Sequence, residues 1–402
     1  MREHTIKYLV AEIITKALPF LLIPYFTSKL GASGYGELSL FQVYFNLFIV
    51  LITVGGDTLL TRVVFRYGKF IFNEFTAFLI IIYFVISTLL IAPIYYWGGE
   101  LFVFSFICAL VFVINNIFLI RFQSLTKSSD YLTSQILNAL LSTILTLVLF
   151  EIYLQNYQSR ALAVFISYVI IVLYFIVKEF DSLWSGRSFY KRINIYLSMF
   201  LIIGSPMLLH KLSFFIRNQL DRVVVYKFFT VEELGVYSLS AQLVSILPVV
   251  FTAINMALYP VIYSNLKNRP KFVFFKIGNL LPYIIIACVL VSFISTKIPS
   301  DIYVFLFGND FKETSYFFPI LFFGNSLQIV YLLLSTVVLY FLKTKSLAFC
   351  TVVASVIHLC ALYIIAPYGI QYVPYVVIIS NITSLLLVYW FCYMPLKKKY
   401  CE

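Results

Sequence analysis

Charge is scarce in this chain: 17 acidic and 29 basic residues make up 11% of 402 positions, while 62% are hydrophobic and the mean hydropathy is +0.97. That composition excludes a soluble globular domain of this length. Long polar segments are missing as well. The longest gaps between apolar runs, about 177–194 and 217–234, are too short for a soluble catalytic domain, which needs roughly 50 residues or more. No phosphate-cradling glycine loop, His/Glu metal helix or nucleophile elbow is present, so nothing reads as ATP hydrolysis, and no catalytic residue, metal or cofactor is assigned. The six cysteines follow no metal-type spacing, five of them lying in apolar runs and Cys401 in the tail, so they imply neither a zinc site nor a disulfide framework.

Apolar runs of spanning length are what remains, since a helix crosses a bilayer with roughly 20 apolar residues. They occur at 75–99, 101–120, 131–150, 161–177, 193–210, 234–266, 277–296 and 314–342. Segments 8–28 and 38–60 add two spans divided by the turn-rich stretch Gly31 to Gly36, and 346–396 adds two more divided by Pro367 and Gly369. The expected architecture is therefore an all-α polytopic membrane protein of about twelve transmembrane helices. Arg2 and Lys7 before an apolar stretch mimic a signal peptide, but Glu12 and Lys16 interrupt it and no small-residue cleavage site follows, so the segment is read as a retained helix.

Lysine and arginine concentrate in alternate gaps, and positive loops stay on the cytoplasmic side. Arg62, Arg66 and Lys69, then Arg121 and Lys127, then Lys178, Arg187, Lys191 and Arg192 fill the even-numbered gaps of the first half and the gap that joins it to the second. Lys267, Arg269, Lys271 and Lys276, then Lys343 and Lys345 do so in the second, and the N- and C-termini share the sign, so both termini are expected in the cytoplasm. The net charge of +12 is accounted for mainly by this insertion signal, and nucleic acid is not needed as a partner.

Formal charges enter the apolar spans chiefly in the first, at Glu12 and Lys16, and at the end of the seventh, at Lys211, Arg217 and Asp221. Charges in hydrocarbon are costly and normally face a protein interior or a water-filled cavity. The two regions are linked by a weak internal repeat: YGELSLFQ at 35–42 and LGVYSLSAQ at 234–242 share Gly36, Ser39 and Leu40 with Gly235, Ser238 and Leu239 at a constant offset. That offset and the phase of the loop charges point to two six-helix halves, 1–185 and 186–402, the parallel-repeat plan of many transporters with a site near mid-membrane. Helical spacing groups His210, Arg217 and Asp221 in one stripe and Lys211, Asn218 and Arg222 in its neighbour, while Glu12 and Lys16 stand one turn apart and can pair. Asp57, near the end of span 2, reads either as a helix-end partner of Arg62 or as a gate. Gln42, Asn46, Asn138, Gln242, Asn255, Asn325, Gln328 and His358 form a weaker uncharged set, and Pro19, Pro24 and Pro206 mark the charged helices for kinks.

The first span with Pro19 and Pro24, LGASGYGELSL at 30–40 and Arg62, then GSP at 204–206, Asp221-Arg222 and EELGVYSLSAQL at 232–243, resemble the polysaccharide exporters of the multidrug/oligosaccharidyl-lipid/polysaccharide exporter superfamily. In length, span count and basic tail the chain is most similar to Wzx-type O-antigen flippases. The resemblance implies a MATE-like fold in a bacterial inner membrane. It implies a flippase that moves an undecaprenyl-diphosphate-linked oligosaccharide from the cytoplasmic to the periplasmic leaflet, with membrane lipid, an O-antigen polymerase and a chain-length regulator as partners.

A diphosphate suits arginine, whose planar fork donates two parallel hydrogen bonds and keeps its charge when partly buried. Arg217 is accordingly the first substrate-binding candidate, followed by Lys211, Lys16, His210, Asn218 and Arg222, with Glu12, Asp57 and Asp221 as coupling or gating carboxylates. Two rivals remain: a multidrug exporter of the same superfamily, for which the slight basic excess in spans 1 and 7 is unfavourable, and an O-antigen polymerase, which calls for a large periplasmic loop. A lipid II flippase calls for about two further spans and more cavity arginines.

Overall fold

The computed structural model describes residues 2–183 and 189–401 and is helical throughout, with no strand among those residues. Eleven segments among them are long and apolar enough to cross a membrane. Their outward faces carry bare large side chains such as Leu89, Val177 and Ile202, the pattern of a surface that meets lipid. The fold is therefore the expected all-α polytopic one.

By contacts the chain forms two compact units, Met1–Leu30 with Glu37–Leu212, and Gly31–Gly36 with Ser213–Glu402. The first holds α1 (Arg2–Leu21), most of α2 (Ile23–Thr53), α3 (Gly56–Trp97), α4 (Glu100–Ser124), α5 (Ser128–Ile152), α6 (Tyr157–Leu183), α7 (Phe189–Met199) and the start of α8 (Ser205–Phe228). Here α1 packs on α5, α5 on α6, and α6 on α4. Ala11, Phe118, Phe122, Tyr131, Ile171 and Phe175 close the core where those four helices meet.

The second unit contains the rest of α8, then α9 (Val231–Val244), α10 (Ile246–Asn268), α11 (Pro270–Ser295), α12 (Ser300–Phe307), α13 (Thr314–Ser326), α14 (Gln328–Tyr340), α15 (Thr344–Ile365), α16 (Val373–Leu387) and α17 (Met394–Cys401). Phe274, Val330, Leu334, Val337, Val338 and Tyr393 form its largest core, and the Tyr393 hydroxyl donates to the Phe274 carbonyl at 3.1 Å.

Helix breaks fall where glycine and proline sit. Gly31 interrupts α2 with φ 62°, whereas the backbone bonds Leu22 N–H to Leu18 and Phe26 N–H to Leu22 carry the helix across the irregular Leu22. The run 2–30 thus behaves as one lead helix, although α1 is not among the eleven segments of spanning length and composition, against the twelve expected. Pro19 and Pro24 flank the Leu22 irregularity, and Pro206 directly follows a π turn at Phe200–Gly204, where its missing N–H favours a wider turn. At the other end the apolar run breaks into 3₁₀ turns at Ala366–Tyr368 and Ile370–Tyr372 around Gly369, φ 137°.

Within the second unit, the segment Gly31–Gly36 lies against the start of α9, so the two glycines of the sequence repeat meet. A Cβ on Gly235 would stand 1.9 Å from the Ala32 carbonyl oxygen, and one on Gly36 2.3 Å from that of Val231. Backbone approach this close admits only glycine on either side. A capping box between Thr230 and Glu233 fixes where α9 starts and hence the register of this contact. Gly235→Ala should therefore lower stability by about 1–3 kcal/mol, the usual cost of overpacking. Thermal unfolding of the detergent-solubilised protein measures this, with Gly99→Ala, whose added methyl meets open space, expected within experimental error of wild type.

Candidate functional site

The best-defined intramembrane charge contact joins Asp57 and Lys211, 154 positions apart in sequence. Val54 and Gly55 turn the chain between α2 and α3 with φ 45° and 76°. That turn rests directly on the π turn before α8: a Cβ on Gly55 would lie 2.8 Å from the Gly204 carbonyl oxygen, and one on Gly204 2.7 Å from that of Val54. With the backbones touching there, the Lys211 Nζ donates to both Asp57 oxygens at 2.6 Å. Both side chains are largely buried, 22% and 17% exposed. Asp57 thus pairs with Lys211, while Arg62 is exposed. His210, the next residue on α8, is half-buried.

Glu12 and Lys16 do pair along α1 at 3.1 Å, with about half of each side chain exposed. The Tyr131 hydroxyl of α5 also donates to Glu12 at 2.9 Å, and Gln135 reaches the Tyr131 oxygen at 3.5 Å. Glu12 is therefore neutralised from two sides.

In the second unit, α8 carries the remaining candidates. The Arg217 guanidinium stacks over Phe214 with 5.3 Å to the ring centroid, and its Nε is buried without a hydrogen-bond partner among the described residues. Asp221 faces inward instead, accepting the Tyr237 hydroxyl at 2.5 Å and the Arg222 backbone N–H at 2.9 Å. His358, fully buried on α15, lies within electrostatic reach of both Arg217 and Asp221. Asn218 donates to the Phe214 carbonyl at 2.8 Å, and Arg222 to that of Asn218 at 3.3 Å, so these two cap their own helix turns.

Charges that the sequence presents as loop signals prove structural. Arg121, 1% exposed, donates to Glu179 at 3.2 Å and to Asn73 at 2.8 Å, and Lys127 completes the cluster on Glu179. Glu74 takes Arg192 at 3.1 Å and the Tyr196 hydroxyl at 2.5 Å. These contacts tie the middle of α3 to the ends of α4 and α6 and to α7. The available signal was an acid, Glu74 or Glu179, beside each basic gap. Arg160 likewise turns into the first unit, donating to the Ser142 carbonyl at 3.0 Å and to Thr146 at 2.6 Å. Of the uncharged set, Asn138 accepts from Ser167 at 3.1 Å and Asn255 from Thr336 at 3.0 Å, both as bonds between helices.

A sequence profile described as polysaccharide biosynthesis protein matches residues 1–266. The chain belongs to this family. A protein of the Lsg locus of Haemophilus influenzae is 28% identical over 395 residues, 96% of this chain and 97% of that protein. Among solved structures, the polysaccharide biosynthesis chain superposes on an inward-facing MATE-family multidrug resistance transporter of the MOP superfamily with TM-score 0.71 and 14% identity, covering 99% of this chain and 100% of that one. It superposes on the inward closed lipid II flippase MurJ with TM-score 0.68 and 15% identity, covering 97% and 87%. At such identities the likeness establishes the fold, and the structural relatives are transporters and a flippase rather than enzymes.

In this family member, removing one partner of the Asp57–Lys211 pair strands the other charge. Asp57→Asn should cost on the order of 2 kcal/mol, between an exposed and a fully buried pair, and the exchange Asp57→Lys with Lys211→Asp should recover most of it. Unfolding midpoints of the two single variants and the exchange variant check this, and additive losses would mean that the pair is not coupled.

Proposed function

We propose that this protein is a flippase for a lipid-linked oligosaccharide, in keeping with its family, and that its substrate is an undecaprenyl-diphosphate-linked repeat unit such as that of O-antigen. The setting is the bacterial inner membrane, with both termini in the cytoplasm as the basic loops require. Transfer runs from the cytoplasmic to the periplasmic leaflet by alternating access. The superposition on a lipid II flippase supports the substrate class, because that protein also carries a lipid-linked cargo.

One observation carries the reading: Arg217 keeps a buried, unpartnered Nε in a span where an unsatisfied donor is costly. A diphosphate supplies the acceptors that such a donor lacks, and the stacked Phe214 holds the guanidinium plane in place. Lys211 takes the second role. Its ammonium is held by both carboxylate oxygens of Asp57, so an anionic group of the substrate would have to displace Asp57 to reach it. Glu12 and Asp221 are engaged by tyrosine hydroxyls and serve mainly to position their helices.

Deleting the gene should make the undecaprenyl-linked saccharide accumulate on the cytoplasmic face, read by mass spectrometry of extracted lipids. Arg217→Ala, inserted and folded as wild type, should reproduce the accumulation, and Arg217→Lys should relieve part of it because charge remains while the fork is lost. Absence of any lipid-linked intermediate together with retention of cationic dyes would replace this reading with drug export.

A further inference from the structure

The first unit contains a cavity of about 230 Å³ among α1, α4, α5 and α6, far above the space that one water needs. Its polar lining is almost entirely neutral. Asn115, Asn116 and Gln123 come from α4 and Gln135 from α5, and Tyr131 and Tyr168 contribute phenols. Glu12 is the one carboxylate of the lining, and both Lys16 and the Tyr131 hydroxyl already engage it. Phe112 stacks edge-on with Tyr168 at 5.3 Å, which makes one wall aromatic.

Asn115 stands out in this lining. The residue is 2% exposed, yet its carbonyl oxygen has no hydrogen-bond partner among the described residues. An unpaired buried acceptor costs stability, and an apolar residue of the same shape does not. A ligand donor would remove that cost. The ligand class follows from the lining: a diphosphate needs cations, and none lines the cavity, while the one carboxylate, Glu12, is already taken by Lys16 and the neutral amides outnumber it. Side-chain amides both donate and accept, which matches vicinal hydroxyls, and an aromatic wall covers the apolar face of a ring.

We propose that this cavity is the binding pocket for one neutral sugar ring of the transported saccharide, with Asn115 and Gln135 as its specificity-determining residues. The proposal rests on the flippase reading and adds to it a division of labour: the sugar is recognised in the first unit by neutral groups, separately from the diphosphate contact assigned to Arg217.

The test uses the full-length protein in lipid nanodiscs, with glucose, galactose and N-acetylglucosamine as probes in saturation-transfer NMR and inorganic pyrophosphate as the anionic control. At least one sugar should bind with millimolar affinity, and Asn115→Leu and Gln135→Leu should each weaken it tenfold or more, leaving pyrophosphate binding unchanged. Asn115→Leu should also unfold at the same temperature as wild type or higher, which a structural role for the amide would not allow. Failure of all three sugars to bind, or wild-type sugar affinity in both variants, overturns the pocket. If Asn115→Leu fails to fold, Gln135→Leu decides by the same readout. Accumulation of the lipid-linked saccharide on gene deletion, together with normal export by both variants, sinks the pocket and leaves the flippase standing. Sugar binding that both variants abolish, without accumulation on deletion, sinks the flippase and leaves the pocket.

Discussion

A polar group placed in hydrocarbon must find its partner within the protein, because no water is there to take its hydrogen bonds. Much of this structure follows from that constraint. Buried hydroxyls turn back onto their own helices, as Thr76 does to the Phe72 carbonyl and Ser87 to that of Tyr83, both at 2.7 Å. Asn138 and Asn255 find hydroxyls on neighbouring helices, and Arg121 finds Glu179 and Asn73. Thirteen buried side-chain polar atoms have no hydrogen-bond partner among the described residues, and those beside a cavity or on a charged group carry information. Arg217 Nε and the Asn115 carbonyl are two such atoms, and they differ in the ligand chemistry that would satisfy them: an anion for the first, a hydroxyl for the second.

Pairing requires helices to come close, and small residues set how close. Gly55 against Gly204 lets two turns touch by their backbones, and only from that approach can the Lys211 side chain reach Asp57. Gly36 and Gly235 do the same for the segment before the second span and the start of α9. Small residues at helix crossings are the usual device where lipid provides no hydrophobic drive for association. The π turn at Phe200–Gly204 belongs to the same contact, since it supplies the carbonyl that Gly55 meets. The glycines therefore serve the charge pair as much as the fold.

The sequence reveals what is periodic or local and conceals what is tertiary. Span lengths, the break at Gly31, the interruption around Pro367 and Gly369 and the pairing of Glu12 with Lys16 one turn away all depend on neighbours in sequence, and all are visible there. Asp57 and Lys211 are far apart in sequence, and the local rule therefore offered Arg62 as the partner of Asp57. Arg121 and Lys127 follow the loop-charge rule and at the same time pair with the buried Glu179, so reading them as loop signals hid a structural role. Asn115 has no charge and no spacing to mark it. Only the cavity beside it and the missing partner single it out.

Magnitude separates the ion pairs of the first unit by the work that each can do. Glu179 and Arg121, 6% and 1% exposed, form a pair that would leave a desolvated charge behind if it opened, at a cost of about 3–5 kcal/mol, so the ends of α4 and α6 stay joined through ordinary fluctuations. Asp57 and Lys211 keep about a fifth of each side chain accessible, so water reaches both partners and opening this pair costs less. A transporter needs both kinds of contact. Rigid bodies must hold together while they move, and at least one contact must exchange at low cost when they do. In this unit the deep pair suits the first requirement, and the shallow pair is the less costly of the two to open. The two helices that carry the shallow pair each begin just after an irregular turn, Val54–Gly55 before Asp57 and Phe200–Gly204 before Lys211.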